Sequence, residues 1–312
     1  MTAKRDSTFA SFILTFDRPA KLGRAIEAVL DQTLTPELLL VVDNGSSEHT
    51  RSVVEGFSDR RIVYESTGAN LGSAGGVAFG MERLYARGYD WIHSVDDDDP
   101  PRTRDTIERL QELIVRNDDG TLGAVAAVGS RWDWSSGQYS RLRDAELTGD
   151  LEVDVVGGGQ QLTVRREVIA AIGPPNSQFF FGHYDPFYCL QMADAGFRVM
   201  IDGDLMHEYR VLADRMNLQI RPSLVPRHGF ESIWRRYYVT RNYIFAMTNL
   251  FDRPQLARRE ARKALLRSVA SWKRGPRYAV RFNRLQLRAV VDGYRGRLGR
   301  TVAPRAQSIK PD

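Results

Sequence analysis

The chain has 312 residues, 42% hydrophobic and 27% charged, which is enough to bury a core and too apolar for a disordered segment. A single cysteine, Cys189, excludes an intramolecular disulfide and a Cys-rich zinc or iron–sulfur centre, and no apolar run reaches the roughly 18 residues of a membrane-spanning helix. The net charge of +5 hides an asymmetry: residues 253–305 hold 16 Lys and Arg against Glu260 and Asp292, whereas residues 1–252 hold 27 basic and 36 acidic side chains.

Met1 to Thr8 is polar and lacks the layout of a signal peptide, so a cytoplasmic protein is expected. Phe9–Phe16 (FASFILTF) then reads as a buried strand. Lys21–Gln32 reads as a helix with Leu22, Ile26, Val29 and Leu30 on one face. Leu38–Val42 is a second buried strand, residues 48–57 are helical, 61–64 form a short strand and 75–87 a helix. Trp91–Val95 is a strand that stops at four aspartates. A helix over 103–116, a strand over 123–128, a helix over 187–195 and a strand over 197–201 follow. This alternation predicts an α/β fold, a doubly wound, mainly parallel sheet with flanking helices, over residues 1–215. A helical, Arg-rich region is expected over 216–312. Such sheets bind ligands beyond the carboxyl ends of their strands. Three strands end in polar residues: Thr15 and Asp17, Asp43 and Asn44, and Asp96 to Asp99.

Each motif admits a structural and a chemical role. In VVDNGSS, Asp43 either holds the turn into a helix that Ser47 caps or accepts a hydrogen bond from a base or ribose. In Asn70–Gly80 (NLGSAGGVAFG) the glycines allow close packing of a helix or close approach of backbone to a ligand. The spacing fits neither a Walker loop nor a G-x-G-x-x-G turn after the first strand. Ser94–Pro101 (SVDDDDPP) sets four carboxylates side by side. Strand alternation predicts that Asp96 and Asp98 point together, as hard oxygen ligands for Mg²⁺ or Mn²⁺; the alternative is a solvated acidic turn. Asp185 sits in the aromatic segment Phe179–Gln191, surroundings that suit a general base or a charge at a helix start. His207 gains interest because two aspartates leave a metal short of ligands.

The order FILTFDRP, VVDNGSS, NLGSAGG, an Asp-rich D-x-D strand end, an aromatic–Asp–helix segment and a late histidine resembles the inverting glycosyltransferases of family 2, with the GT-A fold. The resemblance runs from about Phe9 to His207. N-x-G-x-A-G-G with a run of Asp looks most like bacterial galactofuranosyl- and rhamnosyltransferases of cell-surface polysaccharide synthesis. Trp234–Tyr243 (WRRYYVTRNY) is similar to the Y-x-x-R-N segment of those enzymes. The resemblance implies a metal-dependent hexosyl or pentosyl transfer from a UDP- or dTDP-linked donor to a glycan or lipid-linked acceptor. By position it implies nucleotide contacts at Thr15, Asp17 and Asp43, and a donor-facing loop at Asn70, Gly72, Gly75 and Gly76. It further implies metal and diphosphate ligands at Asp96 and Asp98 with Asp97 beside them, a metal-binding His207, and Asp185 as the base. Tyr184 and Gln191 stand where many relatives carry an acid and an Arg. Two rival classes are a sugar-nucleotide nucleotidyltransferase, for which FILTFDRPAKLG lacks a basic Gly-rich loop, and a non-catalytic glycan or nucleic-acid binder, against which the set of acids speaks.

The basic tail carries its own expectation. After Gly275-Pro276, residues 277–294 read as a helix with Arg277, Arg281, Arg284 and Arg288 beside an apolar stripe of Tyr278, Phe282, Leu285 and Ala289. Residues 258–274 mix Leu265, Leu266, Val269 and Trp272 with Arg258, Arg262 and Lys263. Such helices suit an anionic membrane surface, and related enzymes often act on lipid-linked acceptors. A peripheral protein on the inner face of the cell membrane is therefore expected; the bland alternative is packing with solvated arginines. No nucleic-acid recognition motif accompanies the charge.

Overall fold

The apolar runs pair as strands of one mainly parallel sheet in the computed structural model, which describes residues 7–157, 161–218 and 223–304. In chain order the elements are β1 (Phe9–Thr15), α1 (Pro19–Leu30), β2 (Leu38–Asp43), α2 (Glu48–Glu55), β3 (Ile62–Ser66), α3 (Gly72–Ala86), β4 (Trp91–Asp96), α4 (Thr106–Asn117) and β5 (Leu122–Ala126). A hairpin of β6 (Arg131–Asp133) and β7 (Gln138–Ser140) follows, then β8 (Asp150–Val153), β9 (Thr163–Arg165), α5 (Arg166–Ile172), α6 (Tyr184–Asp194), β10 (Arg198–Asp202) and α7 (Gly203–Leu212). The sheet order is β3-β2-β1-β4-β9-β5-β10-β8. All seven residues of β1 are buried, as expected where helices cover both faces and a strand becomes an unbroken apolar run. The antiparallel insertions, β9 between β4 and β5 and β8 at the edge, are three and four residues long, too short to leave a periodic signal.

α3 shows why its sequence is rich in glycine. A Cβ at Gly80 would stand 2.6 Å from Phe12 Cδ2, and one at Gly76 would collide with Leu14, both on β1. The helix lies on the sheet because those side chains are missing. Its start is three residues earlier than the expected 75.

Two compact units divide the described residues. One takes those up to Ser177 together with Asp185–Leu218; the other takes Gln178–Tyr184 and those beyond Leu218. The boundary expected at 215/216 left the short segment 178–184 with the sheet, but it groups with the helices. In the second unit α8 (Ile233–Asn249), α9 (Pro254–Ala270), a 3-10 turn (Ser271–Arg274) and α10 (Pro276–Tyr294) form a helical bundle. Phe180, Tyr237, Tyr238 and Ala289 form one core cluster, and Ile233, Tyr278 and Phe282 another. This corrects the tail expectation: Tyr278, Phe282 and Ala289 are buried inside the bundle and present no stripe to a membrane. Arg241, fully buried on α8, donates to the carbonyl of Phe179 at 2.9 Å. Asn242 donates to the carbonyls of Phe179, Phe181 and Gly182 at 2.9–3.0 Å. The R-N pair of the tail motif therefore holds the backbone of the segment that leads into Asp185. Among the described residues, no helix is long and apolar enough to cross a membrane.

Candidate active site

Strand register brings the polar strand ends to one edge of the sheet. Thr15 of β1 lies opposite Asp43 of β2, Leu14 lies opposite Asp96 of β4, and Asp43 lies opposite Ser66 of β3. This edge flanks β1, where the sheet order reverses, the place where open α/β sheets hold ligands. Asp43 is fully buried. Its Oδ2 accepts from the Ser47 amide at 2.9 Å and from the Tyr64 hydroxyl at 2.8 Å. Burial, then the bond to Asp43, push the Tyr64 phenol up to about 12, so it stays a donor. The second oxygen, Oδ1, has no partner. A buried carboxylate oxygen left without a donor is costly, and a ligand N–H or O–H would satisfy it. Arg51 lies over the Tyr64 ring, 5.3 Å from its centroid.

The acidic segment is not a continuation of β4. The strand ends at Asp96, and residues 96–99 close a turn in which the Asp99 amide donates to the Asp96 carbonyl at 3.2 Å. The alternation that was to pair Asp96 with Asp98 therefore stops before it applies. Instead Asp97 turns inward and accepts from Thr15 Oγ1 at 2.7 Å, while Arg18 Nη1 joins Asp97 at 2.9 Å to Asp98 at 2.7 Å. Asp99 pairs with Arg102 at 2.9 Å. Burial raises the Asp97 carboxyl, opposed by Thr15 and Arg18. Asp96 is pushed up to about 7 by burial and by the like charges of Asp98, Asp97 and Asp99. Arg18 is the residue the sequence reading missed. It stands inside the quoted FDRP, but its partners lie about 80 positions away.

Oxygen donors carrying this much negative charge at a strand end fit a hard divalent cation in donor type and charge. Among the described residues, however, no three His, Cys, Asp or Glu side chains gather as a ready ligand set. His207 lies half-buried on α7 and is not assembled with Asp96 and Asp98.

The remaining candidates divide. Asp17 is exposed with φ 52°, in the turn between β1 and α1. Asn70 Oδ1 accepts from the Gly72 amide at 2.8 Å, and Asn44 clamps the same loop, donating to the Gly72 carbonyl and accepting from the Leu71 amide, both at 2.9 Å. Gly72 has φ 75°, a left-handed conformation that a residue carrying a Cβ would resist. Gly75 and Gly76 are buried and their missing side chains make room for Leu71 and Leu14, so helix packing accounts for them without a ligand. Asp185, expected just before a helix starting at 187, sits inside the first turn of α6, which starts three residues earlier at Tyr184; there the positive end of the helix dipole favours a carboxylate.

Residues 12–173 match the Glycosyl transferase family 2 domain. The chain is 36% identical over 181 residues to galactofuranosyltransferase GlfT1 of Mycolicibacterium smegmatis, covering 54% of this chain and 59% of that protein. It is 28% identical over 194 residues to GlfT1 of Mycobacterium tuberculosis, covering 56% and 60%. It thus spans about three-fifths of the length of these curated relatives. Among solved structures it resembles the mannosyltransferase PcManGT from Pyrobaculum calidifontis in complex with GDP-Man and Mn²⁺, with TM-score 0.53, 15% identity, and 91% of this chain and 86% of that one covered. It also resembles GalNAc-T7 with UDP, GalNAc and Mn²⁺, with TM-score 0.52, 13% identity, and 64% and 43% covered. At these identities the structural likeness concerns the fold, which is GT-A. With the domain match extending over more than half of the sequence, the chain belongs to glycosyltransferase family 2.

Proposed function

We propose that this chain moves a sugar from a nucleotide-diphosphate donor to a hydroxyl of a glycan or lipid-linked acceptor, with inversion, in cell-surface polysaccharide synthesis. Galactofuranose, by likeness to the GlfT1 relatives, is the first donor sugar to test and rhamnose the second; UDP and dTDP are the nucleotides to try. A peripheral location on the cytoplasmic side of the membrane belongs to the same proposal. The observation that carries the reading is the buried Asp43 carboxylate with one oxygen unpartnered, beside the acidic turn at the same sheet edge.

In this mechanism Asp43 accepts a hydrogen bond from the base or ribose, with Thr15 and Asp17 at the neighbouring strand end and the Asn70–Gly72 loop across from it. Asp185 accepts the proton of the acceptor hydroxyl as that oxygen attacks the anomeric carbon. The bond from that carbon to the diphosphate oxygen breaks in the same displacement, and the configuration inverts through an oxocarbenium-like transition state. Asp96 and Asp98 would hold Mn²⁺ or Mg²⁺, and such a cation supplies positive charge to the departing diphosphate. Arg18, now paired with Asp97 and Asp98, balances the turn's charge.

The test compares Asp185→Asn and Asp43→Ala with the wild type, using radiolabelled donor and a panel of acceptors. Asp185→Asn is expected to bind donor nucleotide normally and to lose transfer by at least about a hundredfold. Asp43→Ala is expected to lose donor binding. Unchanged transfer by Asp185→Asn at saturating acceptor would remove Asp185 as the base. Asp98→Ala is expected to abolish stimulation by Mn²⁺, and full activity of that variant in excess chelator would remove the metal.

A further inference from the structure

α9 buries Leu256, Ala257, Glu260 and Ala264 in the helical unit. At 100° per residue the opposite face carries Leu265, Leu266 and Val269, and the 3-10 turn adds Trp272. Their exposures are 58%, 54%, 73% and 54%. A surface helix ordinarily turns polar residues outward. Four large apolar side chains within eight positions form a patch that calls for a partner.

The flanks of the stripe are cationic. Arg258, Arg262, Lys273 and Arg277 are exposed, and residues 253–277 hold nine Lys and Arg with Glu260 as their only acid. Glu260 is buried and paired with Arg236 at 2.9 Å and Arg267 at 2.7 Å, so it does not neutralise the surface.

We propose that this outward face of α9 and its 3-10 turn seats the protein on an anionic phospholipid surface. Leu265, Leu266, Val269 and Trp272 enter the interfacial layer, and Arg258, Arg262, Lys273 and Arg277 meet the headgroups. Charge selects the occupant. A second copy of the same face would set these cations against each other. A nucleic acid would neutralise the cations and leave the leucine–valine stripe in water. An anionic bilayer satisfies both parts, and tryptophan is a side chain that favours its interface. This inference rests on the peripheral location proposed above and names the surface responsible; vesicle binding and sugar transfer are read separately, so either can fail while the other stands.

The experiment uses the full chain and vesicles of phosphatidylcholine with or without phosphatidylglycerol. Truncation is unsuitable because α10 and residues up to Val302 are bonded to α8. The wild type is expected to sediment with the anionic vesicles, to release in high salt, and to shift its fluorescence to the blue, a shift that Trp272→Phe removes. Leu266→Glu with Val269→Glu is expected to lower vesicle binding by at least about tenfold. Arg262→Glu with Lys273→Glu is expected to lower it on the order of fivefold per cation. Circular dichroism and nucleotide binding should stay unchanged, since these side chains are exposed, belong to no core cluster and are not among the residues proposed to hold the nucleotide. Equal sedimentation of the wild type and the double acidic variant would overturn the proposal. So would a vesicle-independent dimer that the Leu266→Glu/Val269→Glu variant dissolves, or binding of RNA in preference to anionic vesicles.

Discussion

At the residue scale, the site depends on polar side chains buried with partners far away in sequence. Thr15 Oγ1 meets the inward carboxylate of Asp97, 2.7 Å away across 82 positions. Thr15→Val keeps the shape and removes the donor. It should cost about 1–3 kcal/mol, the penalty of an under-bonded buried carboxylate, read as a lower urea midpoint at pH 7; an unchanged midpoint would show that Arg18 alone suffices. His93 supplies a pH dependence. It is fully buried on β4 with Ser11 Oγ 3.0 Å from Nδ1, and burial pulls its pKa from 6.5 down to about 4. Between those values the unfolded chain holds a proton that the folded chain refuses. Stability is therefore full above pH 6.5 and falls as the pH drops toward 4, by roughly 3 kcal/mol for a shift of this size. His183, lowered to about 4 first by burial, adds a loss of the same sign. His93→Gln should narrow the gap between urea midpoints measured at pH 7 and pH 4.5, and an unchanged gap would assign the acid sensitivity to other groups.

At the scale of elements, α3 is the clearest conflict between local preference and tertiary fit. Glycine is a poor helix former, and Gly80→Ala would raise helix propensity by about 1 kcal/mol in isolation. In the fold the new methyl group meets the Phe12 ring, with Cδ2 at 2.6 Å and Cγ at 2.8 Å, and Phe12 is fully buried in the middle of β1. Overpacking of this kind costs typically 1–3 kcal/mol. Gly80→Ala is expected to be destabilising on balance, whereas Gly88→Ala, with open space around the missing Cβ but φ 92°, would suffer from backbone strain alone. Thermal midpoints of the two variants distinguish the causes. α10 offers the companion lesson. Its apolar stripe is regular enough to suit a membrane, yet Tyr278, Phe282 and Ala289 are buried against their own unit.

At the scale of the whole chain, the tail is part of a folded unit and not an appended charge. Tyr237 donates to Asp292 at 2.6 Å, Tyr238 donates to the Val302 carbonyl at 2.6 Å, and Arg241 donates to the Gly299 carbonyl at 2.7 Å. A protein ending at Asp252 would leave these buried groups of α8 without partners and expose its tyrosines. It is expected to aggregate or to be cut rapidly within α8 in limited proteolysis, where the intact chain resists. Resistance equal to that of the full chain would show that α8 stands without α9 and α10.

The sequence by itself determined the alternation of strands and helices, the carboxyl-end positions of Thr15, Asp43 and Asp96, and the family. Those features are local: a strand covered on both faces must be apolar throughout, so its end is marked by the first polar side chains. Tertiary structure alone decided how the acidic turn is arranged, because Arg18 and Thr15 reach Asp97 only after β1 and β4 are paired. It also decided that Gly76 and Gly80 serve packing and that Arg241 and Asn242 hold the segment before Asp185. Two stripes of similar composition, Tyr278–Ala289 and Leu265–Trp272, met opposite fates, one buried and the other exposed. Periodicity tells which side chains share a face, but burial depends on which other element arrives to cover it.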